Sequence, residues 1–247
     1  MIPVHLQALA QAEDRHWWFE ARRRIIARAL QALPAAGPRR ILDIGCGPGG
    51  NLEMLARFGT VSACEMDAGV RALAQQRGFR VCEGGQLPQA ALPYAGETFD
   101  LITLFDVLEH TADDVAALGR VRERLAPGGW VVITVPAFQW LWSAHDVGSH
   151  HFRRYTRGQL LAVLAAAGLG NVRAAYFNFW LFPAACLAKW TNRKSRDNRV
   201  PGLAVPASPV NRLLTGVMGS EAARVVNGGW PWGVSIIAWG QAAPPAA

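Results

Sequence analysis

The chain is poor in cysteine, in long apolar runs and in charge of either sign, and each shortage removes a class of protein. Four cysteines, Cys46, Cys64, Cys82 and Cys186, occur among 247 residues, and no two are spaced as C-x-x-C. That spacing argues against a zinc ribbon, a redox pair or a disulfide-stapled scaffold, and a reducing cytoplasm is the expected setting. No stretch reaches the roughly twenty consecutive apolar residues that cross a bilayer. The N-terminus lacks the charged start, apolar run and small-residue cleavage site of a secretory signal, so it reads as part of the folded protein. No internal repeat recurs, which removes solenoids and propellers. Charged residues make up only 17%, with Lys and Arg outnumbering Asp and Glu by 25 to 18. The cations do not track a groove and no recognition module accompanies them, so nucleic acid is not an expected partner. What remains is apolar, 51% of the residues, enough for one α/β domain with an insertion.

The most informative segment runs from Ile41 to Gly50, I-L-D-I-G-C-G-P-G-G. Ile41, Leu42 and Ile44 read as the end of a buried parallel strand, and Gly45, Gly47, Gly49 and Gly50 as a turn that approaches a ligand closely. A helix over Gly49 to Phe58 would direct its free N–H groups at an anionic ligand group. The spacing of Gly45, Gly47 and Gly50, with Glu65 twenty residues past Gly45, also fits a nicotinamide dinucleotide. Asp43 tips the balance, because a dinucleotide fold usually places an apolar residue two positions before the first glycine. An acid there suits a ligand with an ammonium group, and S-adenosyl-L-methionine (SAM) carries one, together with a carboxylate and a ribose diol. Cys46 fits the turn as a small side chain and needs no nucleophilic role.

Further motifs follow in order: C-E-M-D at Cys64 to Asp67, E-G-G-Q-L-P at Glu83 to Pro88, T-F-D-L-I-T-L-F-D-V-L-E-H at Thr98 to His110, and L-A-P-G-G-W-V-V-I-T-V-P before Ala137. Together with the glycine turn they resemble the class I SAM-dependent methyltransferases of the ubiquinone/menaquinone type, over about Arg39 to Gly168. The resemblance implies an α/β fold, a Rossmann-like doubly wound seven-stranded sheet with an N-terminal helical cap and a helical insertion before the last strand. It implies SAM as cofactor and S-adenosyl-L-homocysteine as product, bound by Asp43, Gly45, Cys46 and Gly47. Glu65 is then expected on the ribose hydroxyls, Met66 on adenine, Glu83 or Gln86 on the adenine amino group, and Asp106 in the pocket wall. Strands are expected near Arg40 to Ile44, Val61 to Cys64, Arg80 to Cys82, Leu101 to Phe105, Trp130 to Val135, Val172 to Tyr176 and Ser235 to Trp239. The expected organisation is one domain: a helical cap over 1–38, a core over 39–177, an aromatic and basic insertion over 178–231, and the last strand with a disordered tail over 232–247.

The loop after the fifth strand, Pro136 to Thr156, leaves the sheet edge where ligands bind in open α/β folds. His145 backed by Asp146 is the first choice for a general base, with His150 or His151 as the fallback. The H-D-x-x-x-H-H pattern reads as hydrogen-bonded rather than metal-ligating, and no metal is expected. Asp106, Glu109 and His110 resemble the acid-rich exit loop of ubiquinone-type enzymes, with His110 read as structural. Arg153, Arg154 and Tyr155 suit an anionic substrate, and Trp17 and Trp18 are placed as a cap over the pocket. The segment Tyr176 to Trp190 is aromatic, and T-N-R-K-S-R-D-N-R after it is basic, a pairing that suits peripheral contact with the inner face of a membrane. H-W-W-F-x-x-R-R, H-x-R-R-Y-T and Y-F-N-F-x-L-F-P resemble a bacterial subgroup associated with polysaccharide and glycolipid biosynthesis. The expected activity is O-methylation of a sugar, glycolipid or polyprenyl-linked acceptor, beside a glycosyltransferase partner. A quinone or other small aromatic acceptor is the alternative, and a non-catalytic SAM-binding scaffold the alternative of another class.

Overall fold

The computed structural model describes residues 4–34, 37, 39–191 and 205–243. Seven strands form one sheet: β1 (Arg39–Ile44), β2 (Gly59–Glu65), β3 (Arg80–Glu83), β4 (Phe99–Phe105), β5 (Leu125–Pro136), β6 (Gly170–Phe177) and β7 (Ser235–Gln241), in the order β3-β2-β1-β4-β5-β7-β6. All seven expected strands are present, and the doubly wound reading of the sheet is correct. β1 pairs in parallel with both β2 and β4, so the chain order reverses beside β1 and opens a crevice at the carboxyl ends of these strands. β7 is antiparallel between β5 and β6.

Alternation along the strands sends side chains to two buried clusters, one on each face. Leu42, Ile102, Leu104, Val131 and Ile133 join the first. Ile41, Leu101, Phe105 and Val132 join the second, together with Ile25, Ile26, Ala29 and Leu30 of α2 (Trp17–Gln31). The same period of two places Asp43, Thr103 and Thr134 on the α2 face. α1 (Val4–Arg15) precedes α2 and is separated from it only by His16, whose side chain accepts the Trp18 N–H. The two helices expected before the first strand are therefore both there.

After the glycine turn the helix is shorter than expected. α3 covers only Leu52–Ala56. α4 (Ala68–Gln76) is N-capped by Asp67, and α5 (Asp114–Arg122) by Asp113. α6 (Ala144–Gly148) lies in the loop after β5, and α7 (Arg157–Ala166) begins at a capping box between Thr156 and Gln159. The segment before β7 holds α8 (Phe182–Thr191), α9 (Ser208–Gly219) and α10 (Ala222–Val226). α9 props the N-terminal cap: the Asn211 side chain accepts the Trp17 N–H at 2.9 Å and donates to Arg15 O at 2.8 Å. The basic run beyond Thr191 and the end of the tail, 244–247, lie outside the described residues. No helix among the described residues is long and apolar enough to cross a membrane.

Candidate active site

The glycine turn is built for close approach. Gly45 has φ +69°, and a Cβ there would stand 2.6 Å from Val107 Cγ2. Gly45 and Cys46 both donate their N–H to Cys64 O, at 2.9 and 3.1 Å, which ties the turn to β2. Glu65, at the carboxyl end of β2, accepts the N–H of Gly47 at 3.0 Å and of Asp67 at 2.9 Å. Asp43 is 1% exposed; its Oδ1 accepts the Thr103 hydroxyl at 2.6 Å, and its buried Oδ2 has no partner. Burial pushes its carboxyl up to about 7, against the Thr103 hydrogen bond and with help from the charges of Glu13 and Glu65. The Cys46 thiol is raised far above its ordinary value by burial and then by Asp43, so it is no nucleophile.

These residues fit an adenosyl amino acid. A buried acid with an open oxygen suits its ammonium group, and Glu65 at the next strand end suits a diol. Met66 lies beside it, 62% exposed, an apolar face free for an aromatic ring. Glu83 is opposite Glu65 in the β2–β3 register and exposed, 3.9 Å from Arg71. Gln86 is exposed in the following loop, so both candidates for the adenine edge sit beside the same strand ends.

At the exit of β4, Asp106 takes φ +57° and forms a 2.6 Å ion pair with Arg22 of α2. Arg22 also donates to the Thr134 hydroxyl at 3.0 Å and lies 4.5 Å from the ring centre of Trp18. Trp18 is thereby linked through Arg22 to Asp106 at the exit of β4. Trp17 is held instead through its backbone by Asn211 of α9. The sequence reading offered no role for Arg22, although its place one helical turn after Trp18 is a signal of a shared face.

The loop after β5 pairs Asp146 with a different histidine from the one expected to lean on it. Asp146 is fully buried and bonds His151, not His145: His151 Nδ1 is 2.9 Å from its Oδ1. Helix geometry gives the reason, since neighbours on a helix such as His145 and Asp146 point in different directions. α6 instead ends with His150 at φ +55°, its N–H on Val147 O and the His151 N–H on Asp146 O, at 3.1 and 2.9 Å. That is a Schellman cap, and it folds His151 back over Asp146. His150 is left exposed. Arg154 grips the same carboxylate with Nε and Nη2, at 2.7 and 2.8 Å. Burial alone would raise the Asp146 carboxyl, but hydrogen bonds from His151 and Arg154 hold it well below the usual carboxylate range. Donation to the Asp146 carboxylate assigns a proton to Nδ1 of His151 and leaves Nε2 as the ring nitrogen that can exchange one.

The cations offered to an anionic substrate are committed elsewhere. Arg154 orients Asp146, Arg153 binds Asp114 at 3.0 Å, and Tyr155 is buried with its hydroxyl 2.9 Å from the same Asp114 oxygen. Phe152 N donates to Glu109 O at 2.8 Å, joining this loop to the 3₁₀ turn Leu108–His110 after β4. Glu109 is buried with one oxygen unpartnered and its carboxyl raised by burial and by Asp106. Ligand atoms of Glu109, His110 and His151 lie within 4.8 Å of one another, so the exit loop of β4 and the loop after β5 converge here. His110 stacks edge-on against His151 at 4.6 Å; burial first, and His151 whenever it is protonated, lowers the pKa of His110 and of His145, so both are neutral near pH 7.

A doubly wound sheet with a glycine turn and an acid at the end of β2 defines a nucleoside-cofactor protein of the α/β class. A family model described as a methyltransferase domain matches residues 15–174. The chain belongs to that family, the class I SAM-dependent methyltransferases. It is 31% identical over 175 residues to a trans-aconitate 2-methyltransferase of Methylobacterium nodulans, covering 68% of this chain and 65% of that protein. It is 31% identical over 159 residues to a ubiquinone biosynthesis O-methyltransferase of Cereibacter sphaeroides, covering 57% of this chain and 63% of that protein. The matches thus span just under two thirds of these relatives' length. Among solved structures, Haemonchus contortus phosphoethanolamine N-methyltransferase 2 in complex with S-adenosyl-L-methionine aligns over 89% of this chain and 52% of that chain, with a TM-score of 0.54 at 18% identity. That likeness speaks for the fold.

Proposed function

We propose that the protein transfers a methyl group from SAM to a hydroxyl oxygen, with His151 as general base. The observation that carries the reading is the buried Arg154–Asp146–His151 chain at the carboxyl edge of β5, joined to the β4 exit loop that packs against the glycine turn. When bound, SAM would supply an activated methyl carbon on a sulfonium centre, with S-adenosyl-L-homocysteine as the product. Asp43 and Glu65 bind and orient it through its ammonium group and ribose, and Met66 covers its adenine. Asp146 fixes the tautomer and direction of His151, whose Nε2 takes the acceptor's hydroxyl proton as the oxygen is aligned for attack. Trp18, held over the wall by Arg22, helps keep water from the reacting atoms.

The acceptor that fits is a hydroxyl on a small molecule with an apolar tail, a class that includes both a lipid-linked sugar and a quinol. What supports it is an apron of aromatic side chains at the same edge. Trp140, Phe182, Trp232 and Phe179 follow one another at ring distances of 6.0, 6.2 and 6.1 Å. α8 buries no residue, and Trp190 on it is 72% exposed. Tryptophans in this setting favour the boundary between water and lipid, so peripheral contact with a membrane belongs to the same reading. The names of the relatives favour a quinol or other small molecule over a polysaccharide precursor.

The test is turnover of SAM with catechols, hydroquinones and a lipid extract. Replacing His151→Gln should lower kcat by about 10²- to 10⁴-fold while SAM affinity stays within about twofold, and His145→Gln should change kcat by less than about threefold. Full activity of the His151 variant would overturn the assignment of the base. SAM binding with no turnover on any fraction would favour a scaffold.

A further inference from the structure

α1 carries a carboxylate that the proposed chemistry leaves unused. Glu13 reaches across the glycine turn, where its Oε2 accepts the Gly50 N–H at 3.1 Å and its Oε1 faces Gly47. A Cβ on Gly47 would stand 3.9 Å from that oxygen, and a Cβ on Gly50 would collide with the Glu13 carboxylate. The arm that carries it is strapped down from two sides. Arg77, the C-cap of α4, binds Asp14 at 2.9 Å and Pro48 O at 2.7 Å, and Arg23 of α2 donates to Glu13 O at 2.7 Å. Glu13 is therefore positioned rather than resting on the surface.

Its surroundings lack a cation at one point. Gly47 sits between two carboxylates, with Glu65 Oε2 on its N–H at 3.0 Å and Glu13 Oε1 on the other side. Asp43, at the start of the same turn, adds a third acid whose buried Oδ2 is unpartnered. Burial pushes the Glu13 carboxyl up to about 7 despite the Gly50 hydrogen bond and the nearby charges of Arg77 and Arg23. Asp43 is repelled by both Glu13 and Glu65, and a ligand's positive group entering among these acids would relieve that repulsion. A carboxylate entering the same place would only add to the repulsion.

We infer that Glu13 is a cofactor-binding residue that receives the ammonium group at the amino-acid end of the cofactor, so that α1 forms the wall of that end of the pocket. The inference rests on the SAM reading above and adds a residue from outside the sheet edge. It also gives the N-terminal helix a specific purpose, since a nucleoside without an amino-acid end makes no use of Glu13.

The test compares wild type and Glu13→Gln by calorimetry, with S-adenosyl-L-homocysteine and with 5′-methylthioadenosine, which has the same adenosyl group and no amino-acid end. The variant should bind S-adenosyl-L-homocysteine at least about tenfold more weakly, as loss of a charge-assisted hydrogen bond requires, and 5′-methylthioadenosine within about twofold of wild type. The second ligand also reports that the variant is folded. Unchanged or tighter binding of S-adenosyl-L-homocysteine, or equal weakening of both ligands, would overturn the assignment. If wild type binds neither ligand, the cofactor reading itself falls and the role of Glu13 with it.

Discussion

Asp146→Asn probes the centre of the proposed site most directly. The carboxylate accepts five hydrogen bonds: from the Ser143 N–H at 2.8 Å and hydroxyl at 3.0 Å, from His151 at 2.9 Å, and from Arg154 at 2.7 and 2.8 Å. An asparagine amide keeps one acceptor oxygen and turns a donor toward groups that are themselves donors. It also strands the Arg154 side chain, only 10% exposed, without a counter-charge. Breaking a buried pair by removing one partner costs about 3–5 kcal/mol. For a chain of this size each kcal/mol moves Tm by about 2–4 °C, so the variant should melt roughly 10 °C below wild type at pH 7. The pH dependence has a definite sign. The folded-state pKa of Asp146 lies below its value in the unfolded chain, so its stabilisation is fully present above about pH 4 and is lost as pH falls through the folded value. The gap between wild type and variant should narrow over that acid range. Adding Arg154→Met removes the stranded charge, so the double variant should melt above the single one. Thermal melts followed by circular dichroism at pH 7 and at acid pH decide the matter. A single variant within about 2 °C of wild type, or a double variant no better than the single, would refute the buried-pair reasoning.

Two further outcomes follow from the glycine turn. Asp43 and Glu13 are both pushed up to about 7 by burial and bind a cation only when ionised, so SAM affinity measured by calorimetry should rise about tenfold or more between pH 6 and pH 8 and then level off; a flat profile would show that neither acid faces the cofactor's positive group. Burial also raises the thiols of Cys46 and Cys64, the latter to about 12, so iodoacetamide at pH 8 should modify the half-buried Cys82 and Cys186 and spare the other two when peptides are read by mass spectrometry; rapid labelling of Cys46 would mean that the turn opens in solution.

The strands and the cofactor turn were legible in the sequence because both are local. A strand is written in alternation and apolar runs, a tight turn in glycines, and the acid that ends β2 in its distance from that turn. Asp43 could be singled out by its place before the first glycine, and Glu65 and Met66 by their match to the family's C-E-M-D segment; the parallel register of β1 and β2 brings their strand ends together. The histidine partner of Asp146 was not legible in this way. His145, His150 and His151 are equivalent in composition, and only a Schellman cap with a histidine in the left-handed position, where glycine usually advertises the motif, brings His151 onto Asp146. Arg153 and Arg154 looked free because their partners are a helix start 39 residues away and an acid eight residues back, both buried on folding. The pairing of Arg22 with Asp106 and the reach of Glu13 over Gly50 depend on how α1 and α2 dock on the sheet. The sequence by itself thus determined the fold and the cofactor turn, which arise from short-range periodicity and backbone freedom. Tertiary structure alone decided which acids and bases meet, because a side chain's partner is set by packing between elements that are distant along the chain.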